Sequence, residues 1–224
     1  MASLSNGVWE RKGPNLLSKR LFAFMICFWT TLGVAVSAWG ANVCMSKGWQ
    51  FSWTLFLVTL AVSLSGVLLA QSSTQPVYSL LGYMMVAFPF GVLLGTMITP
   101  SIPTVDIVKV LMITTVMVAF LGVIGAIYPG SLESWGVWLF GSLMLLLGGL
   151  LIVPIAAFFG VQTTGAMTWL DIVGILLFGA YVLYDINRAM RLPRTLDNSI
   201  DAAVAIYLDF ANIFLRILLI GRRK

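Results

Sequence analysis

The chain contains no histidine, and only 9% of its residues are charged. Without histidine there are no imidazole proton relays and none of the usual zinc or haem ligands. Proton chemistry near neutral pH then falls to carboxylates in unusual surroundings. A Ser-His-Asp triad is impossible, and neither an HExxH helix nor a Gly-x-Ser-x-Gly turn occurs, so no enzymatic activity is expected. The shortage of charge excludes a water-soluble domain: 60% of the 224 residues are hydrophobic and the mean hydropathy is +1.00. Cysteine is scarce as well. Cys27 and Cys44 are 17 residues apart in one expected helix. That separation is about 25 Å, too far for a disulfide; Cys27 reads as ordinary apolar packing.

What the chain does have is long apolar runs. The 58 residues from Gly48 to Val105 carry no charge at all. A membrane-crossing helix needs roughly 20 apolar residues, so this run alone holds two crossings and a turn. Seven apolar segments follow one another: Leu21–Trp39, Ser52–Ala70, Val77–Met97, Ile107–Ile127, Trp135–Ile155, Trp169–Met190 and Ala202–Ile220. The fold expected is therefore all-α, a polytopic membrane protein with seven transmembrane helices in one domain over residues 21–224, after a basic tail over residues 1–20. The breaks carry turn chemistry, "AQSSTQP", "TPSIPT", "YPGSLES" and "GVQTTGA". Trp49, Trp53, Trp135 and Trp169 stand at segment edges, as interfacial anchors do. Gly91 and Gly95 form a GxxxG pair, expected to serve helix packing, while Pro89 and Pro154 are candidate kinks.

The net charge of +5 belongs to loops and ends, which argues against a nucleic-acid partner. Arg11, Lys12, Lys19 and Arg20 precede the first segment, which reads as an uncleaved first helix. Arg188, Arg191 and Arg194 join the sixth to the seventh. Both groups fall inside if the N-terminus is cytoplasmic. Seven crossings then put "GRRK", residues 221–224, outside, against the trend; the alternative is a last segment that fails to cross.

The last two segments hold carboxylates in apolar surroundings. Positions 171, 174, 178, 181, 185 and 188 read Asp, Gly, Phe, Tyr, Asp, Arg, and 202, 205, 209, 212 and 216 read Ala, Ala, Asp, Asn, Arg. Steps alternating between three and four put each set on one helix face. With segment six ending near Arg191, Asp185 lies about 9 Å from that end; with segment seven starting near Asp201, Asp209 lies about 12 Å from its start. An antiparallel pair would bring the two together. Two carboxylates in contact away from water cannot both ionise cheaply, and they share a proton as a unit. Protonated once, they clamp two helices; fully ionised, they are a repulsive pair and a cation site. Arg188, Arg216, Asn212 and Tyr181 are the candidate partners of the pair. The two aspartates with Asn212, and Asn187 beside them, could offer calcium the oxygen ligands of a weak, transient site. An intramembrane aspartyl protease would also use two aspartates, but the Gly-Leu-Gly-Asp context is missing.

"LYDINRAM" followed 24 residues later by "YLDFANIF" resembles the Bax-inhibitor-motif family of small membrane proteins. The residues that carry the match are Tyr184 and Asp185, then Tyr207, Leu208, Asp209, Asn212 and Phe214. "GVLLGTMITP" at 91–100 and "WLDIVGILLFGAYVLYD" at 169–185 are similar more loosely. The resemblance implies seven helices with the last one central. It also implies a pH-sensitive calcium leak in a bacterial cytoplasmic membrane, with Asp185 and Asp209 as sensor and seal. Calcium is then the transported ion, with no tightly bound cofactor. Eukaryotic relatives suppress cell death, and some bacterial relatives restrain a membrane-anchored ATP-dependent protease, which makes such a protease the alternative partner. One departure stands out. Bacterial relatives can place an arginine between spans two and three to pair with the aspartates. Here that loop is "AQSSTQPVYS", with no cation; Gln71 or Gln75 could donate hydrogen bonds but neither neutralises charge, so either Arg188 or Arg216 substitutes or the pair holds its proton to higher pH.

Overall fold

The computed structural model describes residues 16–72, 75–98 and 104–223. Most of the basic tail (residues 1–15), parts of the second and third connections, and Lys224 lie outside the described residues. Seven α-helices appear in order: α1 (Lys19–Ser46), α2 (Trp53–Ser72), α3 (Pro76–Met97), α4 (Thr104–Ile127), α5 (Trp135–Phe158), α6 (Thr164–Ala189) and α7 (Leu196–Arg222). All seven are long and apolar enough to cross a membrane, and no strand occurs among the described residues. With α7 spanning 27 residues, the last segment has the length of a full crossing.

Burial separates the helices by role. α7 is the most buried and α5 the least. α5 displays Val137, Trp138, Leu145, Leu151 and Phe158 on its surface, as expected of a helix whose solvent is hydrocarbon. The four edge tryptophans are all exposed, and Trp53 and Trp135 begin their helices, consistent with interfacial anchoring.

The contacts divide the chain into two compact units, each taking one half of α7. The first holds α1–α3 and the start of α7. Its helices meet through small residues. A side chain at Gly91 would strike the backbone of Ser37, and one at Gly95 would strike Ala41 and Cys44. The GxxxG pair is thus the surface on which α1 crosses α3, and Gly40 answers it from α1 against Phe88, Gly91 and Val92. Close backbone approach substitutes here for the hydrophobic drive that lipid does not supply. It also explains why α1 continues seven residues beyond its expected end at Trp39: Gly40 is a contact residue rather than a stop.

The start of α7 moves the other way, six residues earlier than expected, to Leu196. Thr195 caps it, its Oγ1 accepting from the Asn198 amide at 3.1 Å, as a helix start requires. The polar run "TLDNSID" reads as loop in sequence, yet it is interior. Thr195, Asp197, Asn198, Ser199 and Asp201 are all buried. Ser79 Oγ donates to Asp197 Oδ1 at 2.6 Å, and Asn198 Nδ2 donates to the Pro193 carbonyl at 2.6 Å. Two residues before Asp209, Tyr207 meets Ser37 Oγ at 2.5 Å, and Ser37 also reaches the Ala87 carbonyl at 2.8 Å. Polar side chains thus tie this half of α7 to α1 and α3.

The second unit holds α4, α5, nearly all of α6 and the end of α7. Asn187 organises its α4–α5 connection. Its Oδ1 accepts from the Leu132 amide at 3.1 Å, and its Nδ2 lies 3.2, 3.3 and 3.1 Å from the carbonyls of Gly125, Tyr128 and Gly130. The Gly125 carbonyl belongs to the last turn of α4, which a helix end leaves unsatisfied; the other three groups belong to the connection. Both cysteines are free, as their spacing required.

Candidate site: the aspartate pair on helices α6 and α7

Within the second unit the predicted stripes of α6 and α7 face each other. The carboxyl groups of Asp185 and Asp209 are within hydrogen-bonding reach of one another. Asp209 is buried, and its Oδ2 has no hydrogen-bond partner in the protein. Asp185 is half-buried. Tyr181, one turn along α6, lies within electrostatic range of both carboxylates and packs on Phe178 with ring centroids 6.1 Å apart.

The helix lengths correct the estimated depths. Asp185 stands four residues before the end of α6, and Asp209 stands thirteen residues into α7. These positions are about 6 Å and about 20 Å from the respective ends. The meeting survives because the added turns lengthen α7 ahead of Asp209 without altering the register.

That register continues. Seven residues back from Asp185 is Phe178, and seven forward from Asp209 is Arg216. The Arg216 guanidinium lies over the Phe178 ring, 5.5 Å from its centroid. Seven more residues reach Asp171 and Arg223, whose side chains form an ion pair. Seven residues are close to two helical turns, so antiparallel helices that match once match again at this interval.

Two expected partners, Arg216 and Asn212, make other contacts. Arg216 does not serve Asp209: its Nη1 pairs with Asp171 Oδ1 at 3.3 Å and approaches the Leu170 carbonyl at 3.4 Å. Two turns of helix separate it from the aspartate pair. Asn212 donates to the Leu208 carbonyl at 2.8 Å, within its own helix, a bond available to a polar residue in apolar surroundings. Asn187 makes its hydrogen bonds to the α4–α5 connection. Arg188 remains the cation whose charge reaches Asp185. Gln71 closes α2 and Gln75 stands just before Pro76 of α3.

Asp171 is a partner of Arg216 and Arg223 that does not stand among the expected partners of the pair. Its signal was present: it shares the α6 stripe with Asp185, and extending the α7 stripe two turns beyond Arg216 reaches Arg223. Asp197 and Asp201 lie ahead of Ala202, the expected start of the last segment, so the apolar pattern does not point to them.

A family model described as inhibitor of apoptosis-promoting Bax1 matches residues 22–223. The chain belongs to the Bax-inhibitor family. The match covers all seven helices, so the assignment rests on the whole membrane domain and not only on the paired aspartates. This member of the family is an integral membrane protein, all-helical, with Asp185 and Asp209 in contact and no group of three or more metal-ligating side chains among its described residues.

Proposed function

We propose that this protein is a passive calcium leak whose opening follows pH through the Asp185–Asp209 pair. One observation supports this above the others: two acidic side chains, one buried and one half-buried, stand within hydrogen-bonding reach of each other, while Arg216 lies against Asp171 and not against them. Two carboxylates this close hold one proton between them when the site is dry. Losing that proton replaces a hydrogen bond across α6 and α7 with two like charges. Relief comes from separation of the helices or from a cation, and either loosens the seam. Calcium takes oxygen ligands in flexible geometry, and two carboxylates with water make a site weak enough to release it. The leak needs no catalytic chemistry and no resident cofactor. The setting would be a bacterial cytoplasmic membrane with the N-terminus inside.

The test is calcium uptake into vesicles carrying the purified protein, at several values between about pH 5 and pH 8, a range above that of ordinary carboxylates in which only raised ones still titrate. Wild type should leak at a rate that changes across this range. Asp185→Asn and Asp209→Asn should leak at rates that do not. Wild-type flux equal to that of empty vesicles at every pH ends the proposal.

A second reading is a binding module that restrains a membrane protease through the basic tail. It draws on one contact: the Leu17 amide donates to the Arg194 carbonyl at 2.7 Å, joining the end of the tail to the α6–α7 connection. Deleting residues 1–18 would abolish capture of a protease partner while leaving flux intact.

A further inference from the structure

The α6–α7 face carries a second charged feature that the leak mechanism above does not use. Asp171 accepts from two arginines, Arg216 and Arg223. Two guanidiniums on one carboxylate leave one surplus positive charge. Arg223 is the outer member of the trio and Arg216 the inner one: Arg216 is only 6% exposed and its Nε is buried without a hydrogen-bond partner. The side chain is held in place from three sides. Asp171 fixes Nη1, the Phe178 ring lies under the guanidinium, and Gly174 leaves room where a methyl group would collide with Nε, Cδ and Cζ. An arginine stays charged at any physiological pH, so this charge is permanent.

We infer that Arg216 is an electrostatic plug on the cation path, set two helical turns from the aspartate pair, and that it limits divalent ions more than monovalent ones. This rests on the leak reading. A cation leaving Asp185 and Asp209 along the α6–α7 seam toward Asp171 meets Arg216 first. Coulomb repulsion scales with the charge of the ion, so the barrier for calcium is twice that for potassium. A rate depends exponentially on its barrier. The plug therefore slows calcium by the square of the factor by which it slows potassium. A purely structural plug would slow both alike.

The measurement is calcium and potassium flux through vesicles bearing the full-length protein, compared at one pH for wild type, Arg216→Gln, Arg216→Lys and Gly174→Ala. Arg216→Gln should raise potassium flux severalfold and calcium flux by about the square of that, on the order of tenfold or more. Arg216→Lys keeps the charge and should stay near wild type. Gly174→Ala keeps the arginine but displaces its guanidinium, and should show the same ion preference more weakly; it covers the case in which Arg216→Gln fails to fold. Equal gains for both ions, or no gain in a folded Arg216→Gln protein, overturn the plug while a pH-dependent wild-type leak still stands. A silent wild type with a calcium-preferring Arg216→Gln supports the plug and removes the wild-type leak. Silence in both overturns both.

Discussion

Phe178 lies beneath the guanidinium of Arg216, 5.5 Å from ring centroid to carbon, one heptad from the contact of Asp185 with Asp209 on both helices. The same interval leads on to Asp171 and Arg223. Three matched positions along one seam give α6 and α7 a defined register, and each can be broken separately.

Asp209→Asn should fold as well as wild type or better. The amide keeps the shape of the carboxyl, can donate to Asp185, and removes a buried group whose Oδ2 has no partner. A buried charge left unpaired is expensive, and a neutral isostere is not. Thermal melting in detergent at neutral pH should give an unchanged or higher midpoint. A fall of several degrees would mean that Asp209 is a structural anion with a partner of its own.

Asp171→Asn should be costly. It leaves Arg216 and Arg223 facing a neutral amide, and removing one partner of a buried ion pair costs about 3–5 kcal/mol. Arg216 and Asp171 are both nearly buried. Adding Arg216→Gln to Asp171→Asn should cost less than the two single changes summed, since both break the same pair. A double-mutant cycle on detergent unfolding reads the coupling; strict additivity would deny the pair.

Bulk at the α1–α3 crossing should be resisted and bulk on the lipid face tolerated. Gly91→Val forces a side chain into the backbone of Ser37, with an expected loss of about 1–3 kcal/mol or more. Gly148 has open space around it, and Gly148→Val should change stability little. The two variants in one melting series give the comparison.

Asn187→Ala should loosen the connection between α4 and α5. The Leu132 amide and the nearby carbonyls lose their side-chain partner, at about 1–3 kcal/mol for buried groups left unsatisfied. Hydrogen exchange should rise at Leu132 and around residues 125–132 before it rises elsewhere.

Thr195→Ala removes the cap of α7 and should cost about 1 kcal/mol, with Thr195→Ser restoring most of it. The readout is the melting midpoint, with exchange at Asn198 as the local probe.

Much of this was legible in the residues. Seven apolar runs became seven helices, because a backbone in lipid must satisfy its own hydrogen bonds and a helix does so within one segment. The stripes on segments six and seven were legible because helical periodicity puts residues three and four apart on one face. The GxxxG pair could be assigned to packing, though not to α1, because spacing names a face and not its neighbour. The polar run ahead of α7 was misread for a physical reason. Asp197, Asn198, Ser199 and Asp201 look like residues that want water, yet the hydroxyl of Ser79 serves Asp197, the carbonyl of Pro193 serves Asn198 and the carbonyl of Leu196 serves Ser199.

Composition and periodicity by themselves determined the class of the molecule, the number of its crossings, and the two faces on which its acids lie, since these depend on hydrophobicity and helical pitch alone. The choice of partner belonged to the tertiary structure. Arg216 shares a stripe with Asp209 but pairs with Asp171, because an arginine fixed on one helix can reach only what the opposing helix presents at its own height. That height is set by packing, which no single segment contains.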